Sequence, residues 1–357
     1  MRIAVLAPGL IPHDAVSNDA LGMAAALRRL GHEVGLYAPH ARGVDETVHA
    51  PDTLERWLSS RDVVVYHYCV GWDFPLALLR RIRARRIVRY HNITPPEFFE
   101  GWSQGYVSAC TDGRAQLDAF AALDCELYLG DSPYNIEDFT SRGVATDRCA
   151  VLAPFHEVEQ LRTLQPDARR LPTGAPLLLT VGRLAPNKCH LDLVDALDAC
   201  AQGIAPDAHL LSIGKLDPNL ASYGDALTTR IEERGLTSKV TLLQDASGAE
   251  LRAAFERADA LVMLSRHEGF CVPLIEAMAL GTPVIALASS AMPWTLGDAG
   301  LVWDSAEPQL IAASVARIAC DKRLSANLRE RGRARYAQAF APDVLVRELH
   351  RAMERFS

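Results

Sequence analysis

The sequence lacks several features that would point to particular classes of protein. Its eight cysteines are scattered, with no C-x-x-C pair and no grouping with histidine that resembles a zinc site. At 357 residues a disulfide framework is not expected, so reduced thiols of a cytoplasmic protein are the better interpretation. No apolar run approaches the roughly 20 residues of a membrane span, and the start, MRIAVLAPG, lacks the pattern of a signal peptide. A formal net charge of −7 argues against general affinity for nucleic acid. We therefore expect a cytoplasmic protein, at most peripheral on the inner face of the membrane, that meets any phosphate group with local cations.

Short and nearly continuous apolar runs recur along the whole chain, separated by stretches with helical periodicity. Such runs are typical of parallel strands buried on both faces of a sheet. Their alternation with helices predicts doubly wound α/β domains. Twelve runs are too many for one compact sheet, so we expect two sheets. The runs begin at Arg2, Glu33, Asp62, Arg85, Glu126, Ala150, Ala175, Ala208, Lys239, Ala260, Pro283 and Ala299.

A proline-containing stretch without an apolar run divides the chain. This stretch, Glu157–Pro176, has three prolines and is the natural linker. We expect an N-terminal domain over residues 1–160, a C-terminal domain over residues 175–338, and a final helix over residues 339–357 that packs back on the first domain. Ligands of open parallel sheets bind beyond the carboxyl ends of the strands, so the loops after the strands are the places to look for a site.

The first predicted helix carries signals for both of its ends. Ser17, Asn18 and Asp19 lie near its start, and Asn18 or Asp19 is predicted to cap it. Gly31 is predicted to cap its C-terminus.

The segment SRHEGFCVPLIEAMALGTPVIA, from Ser265, has the most informative order of residues. A buried strand ends, a polar loop containing Glu268 follows, and Pro273 stands in the favoured first turn of a helix. The N–H groups and dipole of a helix N-terminus favour an anion such as a pyrophosphate. Glu276 is predicted to fall in the first turn, on the same side as Glu268, so that the two carboxylates suit hydroxyls on two parts of one ligand. Taken singly, Glu268 can be a solvated loop carboxylate and Glu276 a partner of the helix dipole.

A second loop carries two cations. In TVGRLAPNKCHLDLVDAL, Gly182, Arg183 and Lys188 lie between a buried strand and a helix. Two cations in such a loop can neutralise a diphosphate. Considered in isolation, Arg183 and Lys188 would be solvated loop residues, but their position directly after a strand of the second sheet favours a functional role.

With both loops considered together, the chain resembles the family-4 retaining glycosyltransferases, whose E-x7-E motif matches Glu268 and Glu276. The resemblance implies the GT-B fold of two facing Rossmann-like domains, the first binding the acceptor and the second the nucleotide sugar. It also implies that Glu268 contacts hydroxyls of the transferred sugar, that Glu276 binds the ribose, and that Arg183 and Lys188 bind the diphosphate. The family usually has glycine at the position of Cys271. Further donor contacts are expected at Gly182, Gly269, Phe270, Cys271 and Val272, with the base near Lys215 and Gln244–Asp245.

Two histidines of the first domain are further candidates. His67 ends the strand DVVVYHY and His91 ends RRIVRYH, so both fall at the carboxyl edge of the predicted sheet. Members of the family often have a histidine at such a strand end, close to the sugar, and either residue can match it. A histidine that is simply hydrogen-bonded to backbone is an equally good explanation for each.

The resemblance also implies a course of reaction and a class of substrates. It implies front-face attack with retention of configuration and no dedicated protein base, because the departing phosphate can take the acceptor's proton. No D-x-D motif stands at a strand end, so we predict that neither a metal nor a cofactor is needed. The loop RYHNITPPEFFEGW resembles one in bacterial glycosyltransferases, some of them mannosyltransferases, that build surface polysaccharides and O-antigens. This favours GDP-mannose or a UDP-sugar as donor and a saccharide or lipid-diphosphate-linked acceptor.

Other interpretations stay open at this point. A sugar-nucleotide epimerase would share the architecture but need acid/base residues flanking the sugar, and the sequence shows no obvious set. A non-catalytic nucleotide-sugar-binding subunit would not need both glutamates and both cations. The arginine-rich stretch PLALLRRIRARRIVR, from Pro75, is either a basic surface for anionic lipid or an ordinary solvated helix face. Arg114 is a further residue that we expect to reach the site.

Overall fold

The computed structural model describes residues 1–12 and 14–356, which form two compact units. The first unit comprises Met1–Pro96, Val107–His156 and Ala341–Ser357, of which the structure describes all but residues 13 and 357. The second comprises Glu97–Tyr106 and Glu157–Phe340. The short segment Glu97–Tyr106 thus groups with the second unit, although it lies between strands of the first in sequence.

The first unit is built on a seven-stranded sheet in which every pairing is parallel. Its strands are β1 (Arg2–Leu6), β2 (Glu33–Tyr37), β3 (Val48–His49), β4 (Val63–Tyr68), β5 (Arg85–Tyr90), β6 (Leu127–Gly130) and β7 (Cys149–Val151). Their order in the sheet is β3-β2-β1-β4-β5-β6-β7. The helices between them are α1 (Ala15–Arg29), α2 (Leu54–Trp57), α3 (Asp73–Arg81), α4 (Gln104–Ala115), α5 (Leu117–Ala121) and α6 (Pro133–Thr140). The first three residues of α4 belong to the segment that groups with the second unit.

The second unit repeats the arrangement with a six-stranded parallel sheet. Its strands are β8 (Leu177–Val181), β9 (His209–Ile213), β10 (Val240–Leu243), β11 (Ala260–Met263), β12 (Val284–Leu287) and β13 (Leu301–Trp303), in the order β10-β9-β8-β11-β12-β13. Its helices are α7 (Val158–Thr163), α8 (His190–Ala199), α9 (Ala221–Glu233), α10 (Gly248–Arg257), α11 (Val272–Leu280), α12 (Met292–Leu296), α13 (Pro308–Cys320) and α14 (Lys322–Ala339). The last helix, α15 (Pro342–Met353), groups with the first unit.

The prediction of two doubly wound parallel sheets is confirmed. Each of the twelve apolar runs contains a strand, because a run buried on both faces is the strongest signal that a parallel strand leaves in sequence. The two-residue strand β3 was not predicted, since it is too short to form an apolar run. The stretch interpreted as a linker contains helix α7, which buries Val158 and Leu161.

Helix α1 begins at a different residue from the one expected. Its N-cap is Asp14, whose side chain accepts a hydrogen bond from the Ser17 N–H at 2.9 Å. Asn18 and Asp19 lie inside the helix, so the prediction that one of them caps it is wrong; Asp19 is fully buried and serves another purpose described below. The C-cap is Leu30, and Gly31, which was predicted to cap this end, follows it in the left-handed conformation with φ at +87°.

The arginine-rich stretch does not present all of its charges on one surface. Arg89 is fully buried, Arg85 donates to the carbonyl oxygens of Arg61 and Phe356, and Arg86 donates to that of Leu123. Three of its arginines are therefore engaged in internal contacts, which favours the ordinary structural interpretation of the stretch. Among the described residues, no helix is both long enough and apolar enough to span a bilayer.

Candidate functional site

The strand order of the second sheet reverses between β8 and β11. At such a switch point the loops after the two neighbouring strands run to opposite faces of the sheet and leave a crevice at its carboxyl edge. The loop after β8 carries Gly182, Arg183 and Lys188, and the loop after β11 carries Glu268. The topology thus brings the two loops singled out in the sequence to the place where open α/β sheets bind ligands.

These two loops are fastened to each other by hydrogen bonds. The Arg266 N–H donates to the Asn187 carbonyl oxygen at 2.9 Å, and the Asn187 side-chain amide donates to the His267 carbonyl oxygen at 3.2 Å. Beside these bonds, the Lys188 ammonium lies 2.6 Å from Glu268 Oε1. The two side chains are only 19% and 9% exposed, so this charge-assisted bond is shielded from water. The structure therefore joins the predicted cation and the predicted sugar-contacting carboxylate into one ion pair.

The backbone at Glu268 is also held by residues that follow a third strand, β12. The Glu268 N–H donates to Ser290 Oγ at 2.8 Å, and the Glu268 carbonyl oxygen accepts from the Ala291 N–H at 3.3 Å. Ser290 follows β12 and has a positive φ of 46°. Neither Ser290 nor Asn187 was singled out from sequence. Their signal was available, because each is a small polar residue in a loop at the same carboxyl edge.

Helix α11 starts at the residue where the chain departs from the family pattern. Cys271 is its N-cap and has φ 75° and ψ 73°, the left-handed region that glycine adopts freely and other residues rarely do. This conformation explains why glycine is usual there. Val272 is the first helical residue, and the position of Pro273 in the first turn is confirmed. Of the first three helical residues, Pro273 has no N–H and the Leu274 N–H donates to the Cys271 carbonyl oxygen at 3.1 Å, which leaves the Val272 N–H without an intrahelical acceptor.

The residues before the helix are held by packing. The Phe270 ring is buried and meets the rings of Trp294 and Phe340 edge to face, at 6.2 and 5.5 Å between centroids. The Phe270 carbonyl oxygen accepts a hydrogen bond from Thr295 Oγ1 at 2.7 Å. With its side chain anchored in this way, the backbone of Gly269 and Phe270 is held in front of α11.

Glu276 lies one turn further along than expected. It is the fifth residue of α11, in the second turn, so the prediction of a first-turn glutamate is wrong because the helix starts at Val272. The Glu276 side chain makes no hydrogen bond or ion pair with any residue that the structure describes. Burial, together with the negative charge of Glu157, raises its pKa to about 7. A carboxylate stabilised by a helix dipole would have a lowered pKa, so the interpretation as a dipole partner is not supported.

The loop after β8 passes very close to the loop after β9. Gly182 has φ at +149°, and a Cβ atom on Gly214 would overlap the Gly182 carbonyl oxygen. Both glycines are therefore required by the backbone. Lys215 follows Gly214 and is exposed, whereas Asp245 is paired with Arg170 at 2.9 Å. Gln244 Oε1 accepts from the Leu216 N–H, so of the residues expected near the base Lys215 keeps the freest side chain.

In the first unit, both predicted histidines belong to one buried cluster near the switch point between β1 and β4. His67 Nδ1 and His91 Nε2 are 2.9 Å apart, and His91 Nδ1 is 3.1 Å from Asp131 Oδ2. Fully buried Arg89 lies between two carboxylates, at 2.9 Å from Asp19 and 2.8 Å from Asp131. Sequence reasoning missed Arg89, Asp131 and the role of Asp19, which are brought together only by tertiary structure.

The protonation of this cluster follows from its surroundings. Burial lowers the pKa of His67 to about 3, so its imidazole is neutral. Burial alone would raise the pKa of Asp19, but the Arg89 guanidinium and the two histidines lower it to about 2. In the tautomers that satisfy these contacts, His91 donates Nδ1–H to Asp131 Oδ2 and accepts from His67 Nδ1–H. Both ring nitrogens of His91 are then engaged inside the first unit.

The same cluster has the spacing of a metal-ligand set. Asp19, His67 and His91 each offer a ligand atom within 4.8 Å of the others. However, both Asp19 oxygens accept hydrogen bonds from Arg89, and one also accepts from the Phe155 N–H at 2.7 Å. A divalent cation would therefore lie against a guanidinium, so we interpret the cluster as a buried ion network. Arg114 donates to the Ile93 carbonyl oxygen at 2.9 Å, in the loop after β5 that also carries His91.

Comparison with known proteins identifies relatives of the second unit above all. The profile of the family described as "Glycosyl transferases group 1" matches residues 162–335. The D-inositol 3-phosphate glycosyltransferase of Salinispora tropica is 29% identical over 184 residues, which cover 50% of this chain and 38% of that protein. The mannosylfructose-phosphate synthase of Agrobacterium fabrum is 27% identical over a stretch that covers 48% of this chain and 40% of that protein. The chain therefore spans less than half the length of either of these two relatives. The GDP-mannose-dependent alpha-(1-6)-phosphatidylinositol monomannoside mannosyltransferase of Mycolicibacterium smegmatis is 27% identical, with 85% of each chain covered.

Solved structures resemble both units together. Anabaena Alr3699/HepE in complex with UDP matches with a TM-score of 0.77 over 99% of this chain and 100% of that one, at 16% identity. The sucrose-phosphate synthase of Thermosynechococcus elongatus matches with a TM-score of 0.75 at 19% identity, over 99% and 98% of the two chains. At such identities these likenesses show the fold.

Proposed function

We propose that the chain is a retaining glycosyltransferase that takes a hexose from a nucleoside-diphosphate sugar. Its GT-B fold and the match of residues 162–335 to the profile of the group 1 glycosyl transferases support this proposal. The observation that carries this proposal is the contrast between its two glutamates. Glu268 is neutralised by Lys188, whereas Glu276 has no partner among the described residues and a pKa raised to about 7. An unpaired, half-buried carboxylate costs stability, and such groups concentrate at functional sites.

Each residue of the site has a role in this proposal. The α11 N-terminus, Arg183 and Lys188 bind the diphosphate, where negative charge grows as the bond between the sugar carbon and the phosphate oxygen breaks. Glu268 accepts hydrogen bonds from sugar hydroxyls, and its Oε2 atom makes no hydrogen bond to a described residue. Glu276 accepts hydrogen bonds from the ribose hydroxyls, which supply the partners that its carboxylate lacks in the free protein. Gly182, Gly269, Cys271 and Val272 contribute backbone, and Lys215 lies towards the base.

The ion pair between Lys188 and Glu268 prepares the site for its substrate. The pair fixes both side chains before the donor binds, so little ordering is needed afterwards. One ammonium hydrogen points at Glu268, and two further hydrogens remain for phosphate oxygens. Since these cations neutralise the leaving group, the reaction proposed here runs without a metal, and the departing phosphate takes the acceptor's proton.

We assign the acceptor to the first unit. Of the two histidines His91 is the better candidate for a contact near the sugar, because its side chain is 5% exposed whereas that of His67 has no exposure. Both of its ring nitrogens are engaged by His67 and Asp131, so the contact we assign to it is a van der Waals contact of the ring edge. In this assignment His67 holds His91 in place through their 2.9 Å contact. The acceptor is a saccharide or a lipid-diphosphate-linked saccharide of surface polysaccharide synthesis, which places the enzyme in the cytoplasm or at the inner face of the membrane.

The donor is GDP-mannose or a UDP-sugar. The GDP-mannose dependence of the mycobacterial relative supports the first choice, and the UDP complex of the Anabaena structure supports the second. A thermal-shift screen with UDP, GDP and ADP tests the proposal, because a ligand that binds only the folded state raises the melting temperature. We expect one of the three to stabilise the wild type and to stabilise Lys188→Ala much less. Equal shifts in both proteins, or no shift with any nucleotide, would contradict the assignment.

A further inference from the structure

The segment Glu97–Tyr106 of the second unit is anchored by aromatic packing on the loops that form the candidate site. The Trp102 ring meets the Tyr223 ring edge to face at 5.2 Å, and the Trp102 carbonyl oxygen accepts a hydrogen bond from Ser222 Oγ at 3.0 Å. The Phe98 ring lies 6.0 Å from that of His267, the residue directly before Glu268. A short stretch of chain is therefore held in place beside the loop after β11.

Tyr106 ends this segment and reaches the other loop of the site. Its ring stacks on Phe99 at 4.7 Å between centroids. Its hydroxyl donates to Asp217 Oδ2 at 2.9 Å and accepts from Arg183 Nη1 at 3.4 Å. Asp217 is itself fixed, because its Oδ1 atom accepts from the Asn219 N–H at 2.8 Å. The Tyr106 oxygen is thus held at a defined position next to an otherwise exposed guanidinium.

The direction of these bonds gives the phenol a specific role. A tyrosine hydroxyl has one hydrogen and two lone pairs. Because the hydrogen is directed at Asp217, a lone pair faces Arg183 and accepts one of its five N–H donors. The remaining donors stay available for phosphate oxygens. Burial and the hydrogen bond to Asp217 raise the pKa of Tyr106, so the phenol stays neutral.

We propose that Tyr106 is a positioning residue of the donor site, which orients Arg183 towards the β-phosphate of a nucleoside diphosphate. This inference rests on the proposed function, because it acts through the phosphate-binding role of Arg183. An exposed arginine loses rotamer freedom when it binds an anion. Tethering the guanidinium beforehand removes part of that loss, and the gain applies only to ligands that carry the β-phosphate.

The test compares Tyr106→Phe with the wild type by isothermal titration of UDP and UMP, or of GDP and GMP if the guanine nucleotide binds. Phenylalanine keeps the stacking on Phe99 and removes only the hydroxyl. We expect the dissociation constant for the diphosphate to rise about five- to tenfold, the effect of one lost hydrogen bond, and that for the monophosphate to stay unchanged. In an Arg183→Ala background the same substitution should have no further effect, since the two residues act as one unit.

A matched control variant distinguishes an effect on the orientation of Arg183 from a general effect on the stability of the fold. Tyr128→Phe removes a buried hydroxyl of the first unit that donates to the Phe120 carbonyl oxygen at 2.9 Å and accepts from the Cys125 N–H at 3.1 Å. It should lower the melting temperature and leave the ratio of diphosphate to monophosphate affinity unchanged. If Arg183→Ala changes the ratio of diphosphate to monophosphate affinity but Tyr106→Phe does not, the role of Tyr106 is overturned and the donor site stands. The same holds if the effects of the two substitutions on diphosphate affinity add in the double variant. If Arg183→Ala itself leaves the ratio unchanged, the role proposed for Arg183 fails as well.

Discussion

Replacing Glu276 with glutamine removes an ionisable group from α11 while keeping its size and its ability to accept a hydrogen bond. In the folded protein the pKa of Glu276 is about 7, compared with an ordinary value of 4.5. Between these two values the folded chain keeps a proton that the unfolded chain releases. The stability of the wild type therefore falls as the pH rises through this window and levels off above pH 7. Glutamine has no proton to lose, so the variant escapes this decrease.

The size of the effect follows from the two pKa values. Their difference corresponds to at most about 3.5 kcal/mol, since one pKa unit is worth about 1.4 kcal/mol. In a unit of this size such a difference corresponds to roughly 7–14 °C in melting temperature. Glu276→Gln should thus melt close to the wild type at pH 5 and several degrees above it at pH 8. Groups that do not interact with Glu276 titrate equally in both proteins and cancel in the comparison.

The assay is a pair of thermal melts of both proteins at pH 5 and pH 8, followed by titration with UDP and GDP at pH 8. We expect the stabilised variant to bind the nucleoside diphosphate at least about tenfold more weakly, because an ionised carboxylate makes stronger hydrogen bonds with ribose hydroxyls than an amide does. A difference in melting temperature that is the same at both pH values would refute the account of Glu276. Unchanged nucleotide binding in the variant would refute its role at the ribose.

Three further predictions concern the same site. Lys188→Ala should lower the rate of donor consumption by about two to three orders of magnitude, because the diphosphate loses a fixed cation. Release of labelled sugar measures this rate, and a near-normal rate would contradict the assignment. Cys271→Gly should leave the free energy of unfolding in urea within about 1 kcal/mol of the wild type, since glycine adopts the left-handed backbone freely. The control Cys200→Gly, at a helical φ of −62°, should lower this free energy by more than that. Dialysis against a chelator should leave turnover unchanged, and restoration of activity by Mg²⁺ or Mn²⁺ would show that the protein cations do not suffice.

The fold was predictable because its signals are local. Each buried parallel strand leaves an apolar run, and the alternation with helices leaves little choice of architecture. Short elements were not predicted, because β3 has two residues and the six-residue helix α7 lies in a stretch without an apolar run. Helix starts were less reliable. Asn18 and Asp19 have side chains that suit a cap, but Asp14 takes that position.

The candidate site was predictable to the extent that it lies in continuous segments of sequence. Glu268 and Lys188 each follow a strand, and the strand order then places both loops at one crevice. Ser290, Asn187 and Tyr106 were missed because their partners are distant in sequence, and single hydrogen bonds leave no periodic pattern. The same reason applies to the ion network of the first unit.

The central claim is that the second unit binds a nucleoside-diphosphate sugar and releases its hexose for transfer. Its most direct test is incubation of the protein with labelled UDP-glucose, UDP-GlcNAc, GDP-mannose and GDP-fucose, with Glu268→Ala in parallel. The account predicts that one donor is consumed with release or transfer of its sugar, and that the variant consumes it slower by about two orders of magnitude or more. Conversion to an altered free sugar nucleotide, consumption of no donor, or an equal rate in the variant would contradict it.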